Sequence, residues 1–367
     1  MFLSHFLLRA YNKCRGVKVK ISVCIIARNE EEVIGRCLES ISIFADEIVV
    51  VDTGSIDKTK EIAERFTEKV FDFEWVNDFS AARNYAFFKA SGDCLMWVDA
   101  DDIVEREDGE KINSLKKEKN PADTYMMKYY AGVDKNGNPT FEFYRERLLK
   151  NCPSAKFMGF VHECIPPFGI IKYSDIKIIH KKEKSGNPKR NLDIYEYHIA
   201  HGAILNERET YYYAKEFFYL KNYDKCRTQL EKYLSMENLY APDEWDSLLT
   251  CFCCYEKRGE NGGEKYLFKA LEKFGPDSRI LCCLGDYYKK RLKISEAENY
   301  YKMSLLCDIK RNGFFEDRKY DFLEPCLRLV ALYYECGEYS NAKDFHLLSK
   351  KRFPDDPSVI FNDKFFK

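Results

Sequence analysis

The stretch LMWVDADD, residues 95–102, joins a run of four apolar residues to three carboxylates. The apolar run has the length of a buried strand, and Asp99, Asp101 and Asp102 follow at its carboxyl end. Carboxylates this close repel one another, and burying them costs several kcal/mol unless a cation neutralises them. Alternate residues at a strand end project to the same side, so Asp99 and Asp101 form a D-x-D pair able to share a divalent cation. The stretch predicts a metal site, with a solvated polar loop as the alternative.

The segments before this strand alternate between apolar strands and helical patterns. Four apolar runs have strand length, namely ISVCIIA (21–27), EIVVVD (47–52), VFDFEW (70–75) and DCLMWVD (93–99). The runs between them carry apolar residues at helical spacing, as in RNEEEVIGRCLESI (28–41) and FSAARNYAFFKA (79–90). This β-α-β-α order predicts an α/β domain with a mostly parallel sheet that helices cover on both faces.

Polar clusters follow the ends of three of these strands. They are ARNE (27–30), DTGS (52–55) and DADD (99–102). Since ligands of open α/β sheets bind at the carboxyl ends of the strands, we expect the three clusters to meet in one crevice. Gly54 permits a tight turn in the second cluster, and Asp57 is expected to cap the helix that follows.

The sequence after about residue 192 is helical and repetitive. Five residues recur at matching offsets: Leu284, Gly285, Tyr288, Ala297 and Tyr301 reappear as Leu329, Val330, Tyr333, Ala342 and His346. This order is similar to the tetratricopeptide pattern. Repeat starts near 207, 244, 278 and 323, with an insertion near RNGFFEDRKY (311–320), predict four helix pairs stacked as a short solenoid. An ordinary helical bundle is the alternative.

The length of 367 residues allows more than one domain. The patterns divide the chain into an N-terminal basic amphipathic segment (1–20), an α/β domain (21–190) and a helical repeat domain (191–367). A net charge of −1 argues against a nucleic-acid partner bound through a broad basic surface. No run reaches about 18 apolar residues, so no transmembrane segment is expected, although the N-terminal segment is compatible with peripheral membrane contact.

Cysteine usage bears on the compartment. Among the 15 cysteines, those of CFCC (251–254) and CC (282–283) lie in apolar, helix-like stretches, where cysteine behaves as a small core residue. The spacing matches neither a compact disulfide framework nor a zinc-finger pair. We therefore expect a cytoplasmic protein in a reducing environment.

Four motifs together resemble a known family. IIARNEEEVIGRCLESI (25–41), DEIVVVDTGSIDKTKEIAE (46–64), DFSAARNYA (78–86) and MWVDADD (96–102) are similar to the GT-A domain of family 2 glycosyltransferases. GT-A is the nucleotide-diphospho-sugar transferase fold, and the resemblance covers roughly residues 20–180. The branch with tetratricopeptide-like helices behind this domain includes lipopolysaccharide-core glucosyltransferases and sublancin-type peptide S-glycosyltransferases. KFMGFVHE (156–163) and KRNLDI (189–194) are similar to further segments of that branch.

The resemblance implies roles for residues of the nucleotide pocket. Ala27, Asn29 and Glu30 are expected to line the pocket. Asp52 is expected to contact the base, which in this family is usually uracil. Arg83 is expected near the nucleotide, on a helix that the neighbouring Asn84 helps to hold.

The resemblance also implies a metal centre for Mn²⁺ or Mg²⁺. Asp99 would contact the ribose or a metal-bound water, and Asp101 would bind the metal directly. His180 matches the position at which GT-A enzymes often place a third ligand on the metal side, a role that a neutral imidazole can fill. Asp102 receives no firm role, and it either shapes the loop or contributes to the local field.

The general base is harder to assign from the sequence. Many family members use an acidic residue of an xED motif, and residues 120–180 contain no clean match. VHE (161–163) offers His162 and Glu163 instead, at the acceptor side of the site. Either residue is expected to take the proton of the acceptor, with a structural or acceptor-binding role as the alternative.

These observations predict an inverting, metal-dependent glycosyltransferase. It would move a hexose or N-acetylhexosamine from a UDP-sugar to a peptide, protein or cell-surface glycan bound by the helical repeats, and the repeats also suit a homodimer. The alternative from another class is a repeat-scaffold interaction protein with an inactive transferase domain. A nucleotidyltransferase is disfavoured because ARNEEEVIG (27–35) is acidic where a basic, glycine-rich phosphate loop is expected.

Overall fold

The computed structural model describes residues 19–133, 139–181, 187–307 and 318–366. The chain forms two compact units, Met1–Gly202 and Ala203–Lys367. Of the predicted features, the N-terminal segment lies outside the described residues except at positions 19 and 20, and so does the greater part of the repeat insertion.

The first unit contains an eight-stranded sheet. Its strands are β1 (Ile21–Ala27), β2 (Glu47–Asp52), β3 (Val70–Asp72), β4 (Cys94–Asp99), β5 (Asp102–Ile103), β6 (Thr124–Val133), β7 (Pro139–Lys150) and β8 (Ile171–His180). Their order across the sheet is β3-β2-β1-β4-β7-β6-β8-β5.

The sheet divides into a parallel half and a mixed half. β3, β2, β1 and β4 are parallel, as the sequence predicts for the first four strands. β7 runs antiparallel to both β4 and β6, and β5 runs antiparallel to β8, while β6 and β8 are parallel. The complete sheet is therefore mixed, because β6 and β7 follow one another too closely in the chain for the crossover that a parallel pair requires.

Helices cover both faces of the sheet. They are α1 (Ile34–Ile41), α2 (Thr59–Glu64), α3 (Phe79–Lys89), α4 (Arg106–Leu115) and α5 (Arg190–Ala200). Alternate residues of β1 point to opposite sides, so Val23 and Ile25 join the core that contains α1, while Cys24 joins the core that contains α3. The continuous apolar run of β1 follows from this two-sided burial.

The first unit extends past residue 190, where the sequence predicts the boundary between domains. Helix α5 belongs to the first unit because its side chains pack there. The His198 ring stacks on Phe160 with centroids 3.6 Å apart, and its Nε2 lies 2.8 Å from the carbonyl oxygen of Asn77. The charged, proline-containing stretch before α5 resembles a linker in sequence, but these contacts place the helix after it in the first unit.

The second unit is helical throughout its described part. Its helices are α6 (Glu207–Tyr219), α7 (Tyr223–Tyr233), α8 (Ala241–Arg258), α9 (Glu264–Phe274), α10 (Ser278–Lys290), α11 (Ile294–Ser304), α12 (Leu323–Glu335), α13 (Tyr339–Arg352) and α14 (Pro357–Asn362). The first eight form four consecutive pairs. The pairs begin at 207, 241, 278 and 323, so the predicted repeat starts agree with the structure to within three residues.

Gly285 shows why the repeat pattern needs a residue without a side chain. A Cβ atom at this position of α10 would lie 2.2 Å from the ring of Tyr301 on α11. The absence of a side chain lets the two helices of the pair approach closely, with Tyr301 buried between them. The recurring Leu329 and Ala342 are likewise buried in the core of the last pair.

Candidate active site

The loops after β1 and β2 are joined by side-chain hydrogen bonds. The backbone N–H of Asn29 donates to Oγ of Ser55 at 2.9 Å, and Oδ1 of Asn29 accepts from the backbone N–H of Ile56 at 2.8 Å. The backbone N–H of Glu30 donates to Oγ1 of Thr59 at 2.6 Å. Asn29 has a φ of 57°, a left-handed conformation that asparagine tolerates better than most residues.

Ala27 and Asp52 stand side by side at the strand ends. They are partners in the parallel register of β1 and β2, and Ala27 accepts the backbone N–H of Thr53 at 2.9 Å. Oδ1 of Asp52 accepts the backbone N–H groups of Gly54 and Ser55 at 2.9 and 2.8 Å. Oδ2 of Asp52 is buried and has no hydrogen-bond partner among the described residues. A buried acceptor without a donor is costly, so this oxygen requires a donor from a ligand or a water molecule.

Asp57 follows on the same loop and lies one residue before Lys58, the N-cap of α2, so it bonds the start of the helix from just outside the cap position that the sequence predicts. Its Oδ1 accepts the backbone N–H of Thr59, the first residue of α2, at 3.0 Å. Its Oδ2 accepts the backbone N–H of Glu31 at 3.2 Å. Both carboxylate oxygens of Asp57 are therefore satisfied within the protein, in contrast to those of Asp52.

Arg83, on α3, binds two of the predicted site carboxylates. Its Nη2 donates to Oδ1 of Asp99 at 2.6 Å and its Nε donates to Oε1 of Glu163 at 2.7 Å. Burial alone would raise the pKa of Asp99, but the charges of Arg83 and Arg147 outweigh burial and lower that pKa well below its usual value. Asp99 is therefore ionised and directed towards α3.

The helix that carries Arg83 is held firmly in place. Asp78 caps the start of α3 by accepting the backbone N–H of Ala81 at 2.9 Å. Asn84 exchanges two hydrogen bonds with the backbone of Phe157, at 2.9 and 3.0 Å. These bonds join α3 to the segment that contains Glu163.

Asp101 and His180 form the exposed part of a second group. Nδ1 of His180 lies 3.3 Å from Oδ1 of Asp101 and 3.5 Å from Oδ1 of Asp102. Nδ1 has no hydrogen-bond partner among the described residues, so we attribute the rise in the pKa of His180, to about 10, to the charges of Asp101 and then Asp102, which outweigh burial. Ligand atoms of all three residues lie within 4.8 Å of one another.

The chemistry of this group fits a divalent cation. Mn²⁺ binds both carboxylate oxygens and a neutral imidazole, whereas Mg²⁺ binds mainly the carboxylate oxygens. A bound metal ion would neutralise the carboxylates in place of the imidazolium proton, since a metal-bound histidine must be neutral. The strand pairing of Asp102 with His180 in β5 and β8 brings the three residues together.

Asp102 is the buried member of the group. Its side chain is fully buried, and its Oδ2 accepts the backbone N–H of Asp99 at 3.0 Å and lies 3.2 Å from Nη1 of Arg147. Its Oδ1 accepts the hydroxyl of Tyr129 at 3.1 Å.

Three guanidinium groups surround the indole of Trp97, which lies two positions before Asp99 of the D-x-D pair. Their Cζ atoms lie 4.9 Å (Arg83), 4.8 Å (Arg145) and 3.7 Å (Arg147) from the ring centroid. Arg145, Arg147 and Tyr129 belong to none of the sequence motifs that predict the site. A signal for the arginines exists in RER (145–147), because two arginines two positions apart in a strand project to the same face.

The structure places the two candidates for the base differently. Glu163 is largely buried, and Arg83 joins it to Asp99. His162 precedes it with a φ of 53°, in the left-handed region. The structure thus brings Glu163, Arg83 and Asp99 into one group and Asp101, Asp102 and His180 into another.

A comparison with protein families agrees with this geometry. Residues 22–176 match the model of the family described as "Glycosyl transferase family 2". This match spans fewer than half of the 367 residues, so the first unit is similar to a family 2 glycosyltransferase domain over that stretch. The match includes every predicted site residue of the transferase domain except His180, which lies four positions beyond it. The predicted α/β domain followed by a helical repeat domain is confirmed by the order of strands and helices.

Curated relatives share this domain. The chain is 33% identical over 146 residues to a TPR repeat-containing protein of Synechococcus elongatus, covering 40% of this chain and 35% of the relative. It is 30% identical over 152 residues to the SPbeta prophage-derived glycosyltransferase SunS of Bacillus subtilis, covering 39% and 34%. The chain thus matches about a third of the length of these relatives.

Among solved structures, TarS (residues 1–349) of Staphylococcus aureus aligns with a TM-score of 0.36 and 15% identity. The alignment covers 82% of this chain and 97% of that one. A TM-score this low carries no conclusion about this chain. In the part of the chain that the structure describes, no helix is both long and apolar enough to cross a membrane.

Proposed function

We propose that this protein is an inverting glycosyltransferase that uses a UDP-sugar and a divalent metal ion, Mn²⁺ or Mg²⁺. The sugar is a hexose or N-acetylhexosamine, and the acceptor is a peptide, a protein or a cell-surface glycan. The repeat helices bind the acceptor, and the protein works in the cytoplasm.

One observation carries the proposal: an unpaired acceptor suited to a nucleotide base and a group of ligand atoms suited to a metal ion lie at the carboxyl ends of strands of the same sheet. Oδ2 of Asp52 lacks a donor, and the imide N–H of uracil would supply one. Asp101 and His180 offer an oxygen and a nitrogen ligand beyond the end of β4. β1 lies between β2 and β4, so the two features are two strands apart.

The residues of the chain divide the work of donor binding. Asp52 selects the base, while Asn29 and Glu30 hold the loop that borders it. Arg83 fixes the direction of Asp99, which then contacts the ribose or a metal-bound water. Asp101 and His180 would hold the metal ion, which when bound supplies positive charge against the leaving diphosphate.

Glu163 is our preferred general base, with His162 as the second candidate. An inverting transfer requires a group that accepts the proton of the acceptor as that acceptor attacks the anomeric carbon. Glu163 is held by Arg83 beside Asp99, which supports a place within the site. The left-handed backbone at His162 turns the chain immediately before Glu163.

Base selectivity gives the most direct test. Asp52→Asn keeps the size of the side chain and the acceptor for Gly54 and Ser55, but replaces the free oxygen by an NH₂ group. Calorimetric titration with UDP and CDP in the presence of Mn²⁺ should show weaker binding of UDP and a higher ratio of CDP to UDP affinity. The reason is that N3 of cytosine accepts a hydrogen bond where N3 of uracil donates one.

Asp57→Asn is the matched control, because Asp57 lies on the same loop and both its oxygens are satisfied by backbone N–H groups. It should leave the UDP to CDP ratio unchanged. Release of sugar from a panel of UDP-sugars, followed by mass spectrometry of candidate acceptors, then identifies the substrates. A wild-type protein that binds no nucleoside diphosphate with Mn²⁺ would contradict the proposal and favour a scaffold role.

A further inference from the structure

Asp102 differs from the neighbouring Asp99 and Asp101 in how deeply its side chain is buried and in how many of its hydrogen-bonding positions are taken by other groups of the protein. The side chain of Asp102 is 0% exposed, whereas those of Asp99 and Asp101 are 30% and 20% exposed. A carboxylate has about four positions at which it accepts hydrogen bonds. In Asp102, the hydroxyl of Tyr129, the backbone N–H of Asp99 and the guanidinium of Arg147 occupy three of them.

The partners of Asp102 are themselves fixed. Arg147 is completely buried, donates to the carbonyl oxygen of Trp97 at 3.1 Å and lies between two aromatic rings. Its Cζ is 3.7 Å from the centroid of Trp97 and 4.5 Å from that of Tyr129. Tyr129 in turn packs edge-on against Phe143, with centroids 5.5 Å apart. Asp102 is therefore bound to two buried side chains, those of Arg147 and Tyr129.

The remaining position of Asp102 faces the metal group. Oδ1 lies 3.5 Å from Nδ1 of His180, and the ring of His180 is 5.8 Å from that of Tyr129. Oδ2 holds the backbone N–H of Asp99, at the start of the turn that presents Asp101. One carboxylate thus touches both arms of the site, the D-x-D turn and the histidine.

We infer that Asp102 is a positioning residue that does not bind the metal, and that Tyr129 acts through it. This inference rests on the proposed metal-dependent function. Asp101 and His180 are the protein ligands, while Asp102, backed by Tyr129 and Arg147, sets the direction of the D-x-D turn and of the imidazole. Partners that orient metal ligands in this way commonly change metal affinity by about 10- to 100-fold when they are removed.

Mn²⁺ binding, followed by electron paramagnetic resonance in the presence of UDP, tests this role without relying on turnover. Asp101→Asn, which alters a direct ligand, should show no saturable Mn²⁺ binding. Asp102→Asn should bind Mn²⁺ about 10- to 100-fold more weakly. Tyr129→Phe, which removes one hydroxyl, should weaken binding by about tenfold. The double variant Tyr129→Phe/Asp102→Asn should bind no more weakly than Asp102→Asn, because Tyr129 acts through Asp102.

Tyr125→Phe is the matched control. Tyr125 lies four positions earlier on β6, and its hydroxyl also donates to a carboxylate, that of Glu118, at 2.9 Å. Its Mn²⁺ affinity should equal that of the wild type. Coupling of Mn²⁺ to ¹⁷O-labelled water adds an independent measurement, since the number of bound waters should be the same in Tyr129→Phe as in the wild type.

Two results would contradict the inference about Asp102 while leaving the proposed function intact. One is loss of Mn²⁺ binding in Asp102→Asn as complete as in Asp101→Asn, with thermal unfolding showing both variants folded, because Asp102 would then be a ligand. The other is a Mn²⁺ affinity in Tyr129→Phe equal to that of the wild type. This second result would contradict the inference even if Asp102→Asn does not fold. Absence of Mn²⁺ binding in the wild type would instead overturn the proposed function, and this inference with it.

Discussion

Each of the two units buries a charged group, and the two groups differ in how completely hydrogen bonds satisfy them. In the repeat unit, Nζ of Lys215 donates to Oδ2 of Asp246 at 2.6 Å and to Oγ1 of Thr250 at 3.1 Å. The hydroxyl of Tyr211 donates to the same oxygen of Asp246 at 2.9 Å. Burial opposes the charge of Lys215, but Asp246 outweighs it and raises the pKa of the lysine. This cluster joins α6 to α8.

In the first unit, some buried polar atoms have no partner among the described residues. Oδ2 of Asp52, and Nε and Nη2 of Arg147, have no hydrogen-bond partner among the described residues. Buried polar groups are normally satisfied, because leaving one unpaired costs about 1–3 kcal/mol. Among the described residues, the repeat unit also has unpaired buried atoms, in Tyr233, Glu264 and His346. What distinguishes Asp52 is its position at the carboxyl end of β2, where ligands of open α/β sheets bind.

The largest effect is expected from Asp101→Ala. Without this carboxylate the metal ion loses a direct ligand, and metal stabilisation of the leaving group is worth several kcal/mol, so turnover with UDP-sugar should fall by roughly a thousandfold. The side chain is partly exposed, so thermal unfolding should change little. Full activity with added Mn²⁺ would remove Asp101 from the site.

Lys215→Met should lower stability without weakening UDP binding, whereas Asp101→Ala lowers turnover with little change in stability. It leaves the largely buried Asp246, whose side chain is 13% exposed, without its cation, and breaking such a pair costs about 3 kcal/mol of unfolding free energy. Chemical denaturation measures the loss, and the double variant Lys215→Met/Asp246→Asn should recover much of it. UDP affinity should match that of the wild type; a parallel loss of UDP binding would mean that this cluster also serves the donor site.

Glu163→Gln should lower turnover by about a hundredfold while UDP affinity stays within a few-fold of the wild type, because a general base contributes at least that much. His162→Ala provides the comparison within the same loop. Single-turnover measurements of sugar transfer to an identified acceptor distinguish the two residues. If both variants transfer sugar at the wild-type rate, the base lies elsewhere in the protein.

The smallest effect of the four is expected for Asp52→Asn, whose UDP affinity should fall by about tenfold, the value of one hydrogen bond to a charged group. Calorimetry measures it directly. Unchanged UDP affinity would mean that the unpaired oxygen of Asp52 faces no ligand donor, and the contrast between the two units would then lose its functional meaning.

Much of the fold was predictable because its signals are local. The apolar run of β1 and the offset between Leu284 and Leu329 depend only on the residues themselves, since the periods of strands and helices are set by the backbone. The same holds for Asp52 and Asp101, which directly follow apolar strands. The predicted boundary at residue 190 differs from the division of the structure after Gly202, because the charged stretch before α5 resembles a linker while the contacts of α5 with Phe160 and Asn77 are distant in sequence.

The sequence by itself determined the order of strands and helices, the repeat pairs and the residues that stand at the strand ends. Only the tertiary structure decided which charges pair. Arg147 reaches Asp102 from a strand 45 positions further along the chain, and His180 reaches Asp101 through the pairing of β5 with β8. Such partners depend on strand order and register, which a single sequence does not encode locally. For the same reason Asp102, the least defined carboxylate of LMWVDADD in the sequence, is the most firmly held in the fold.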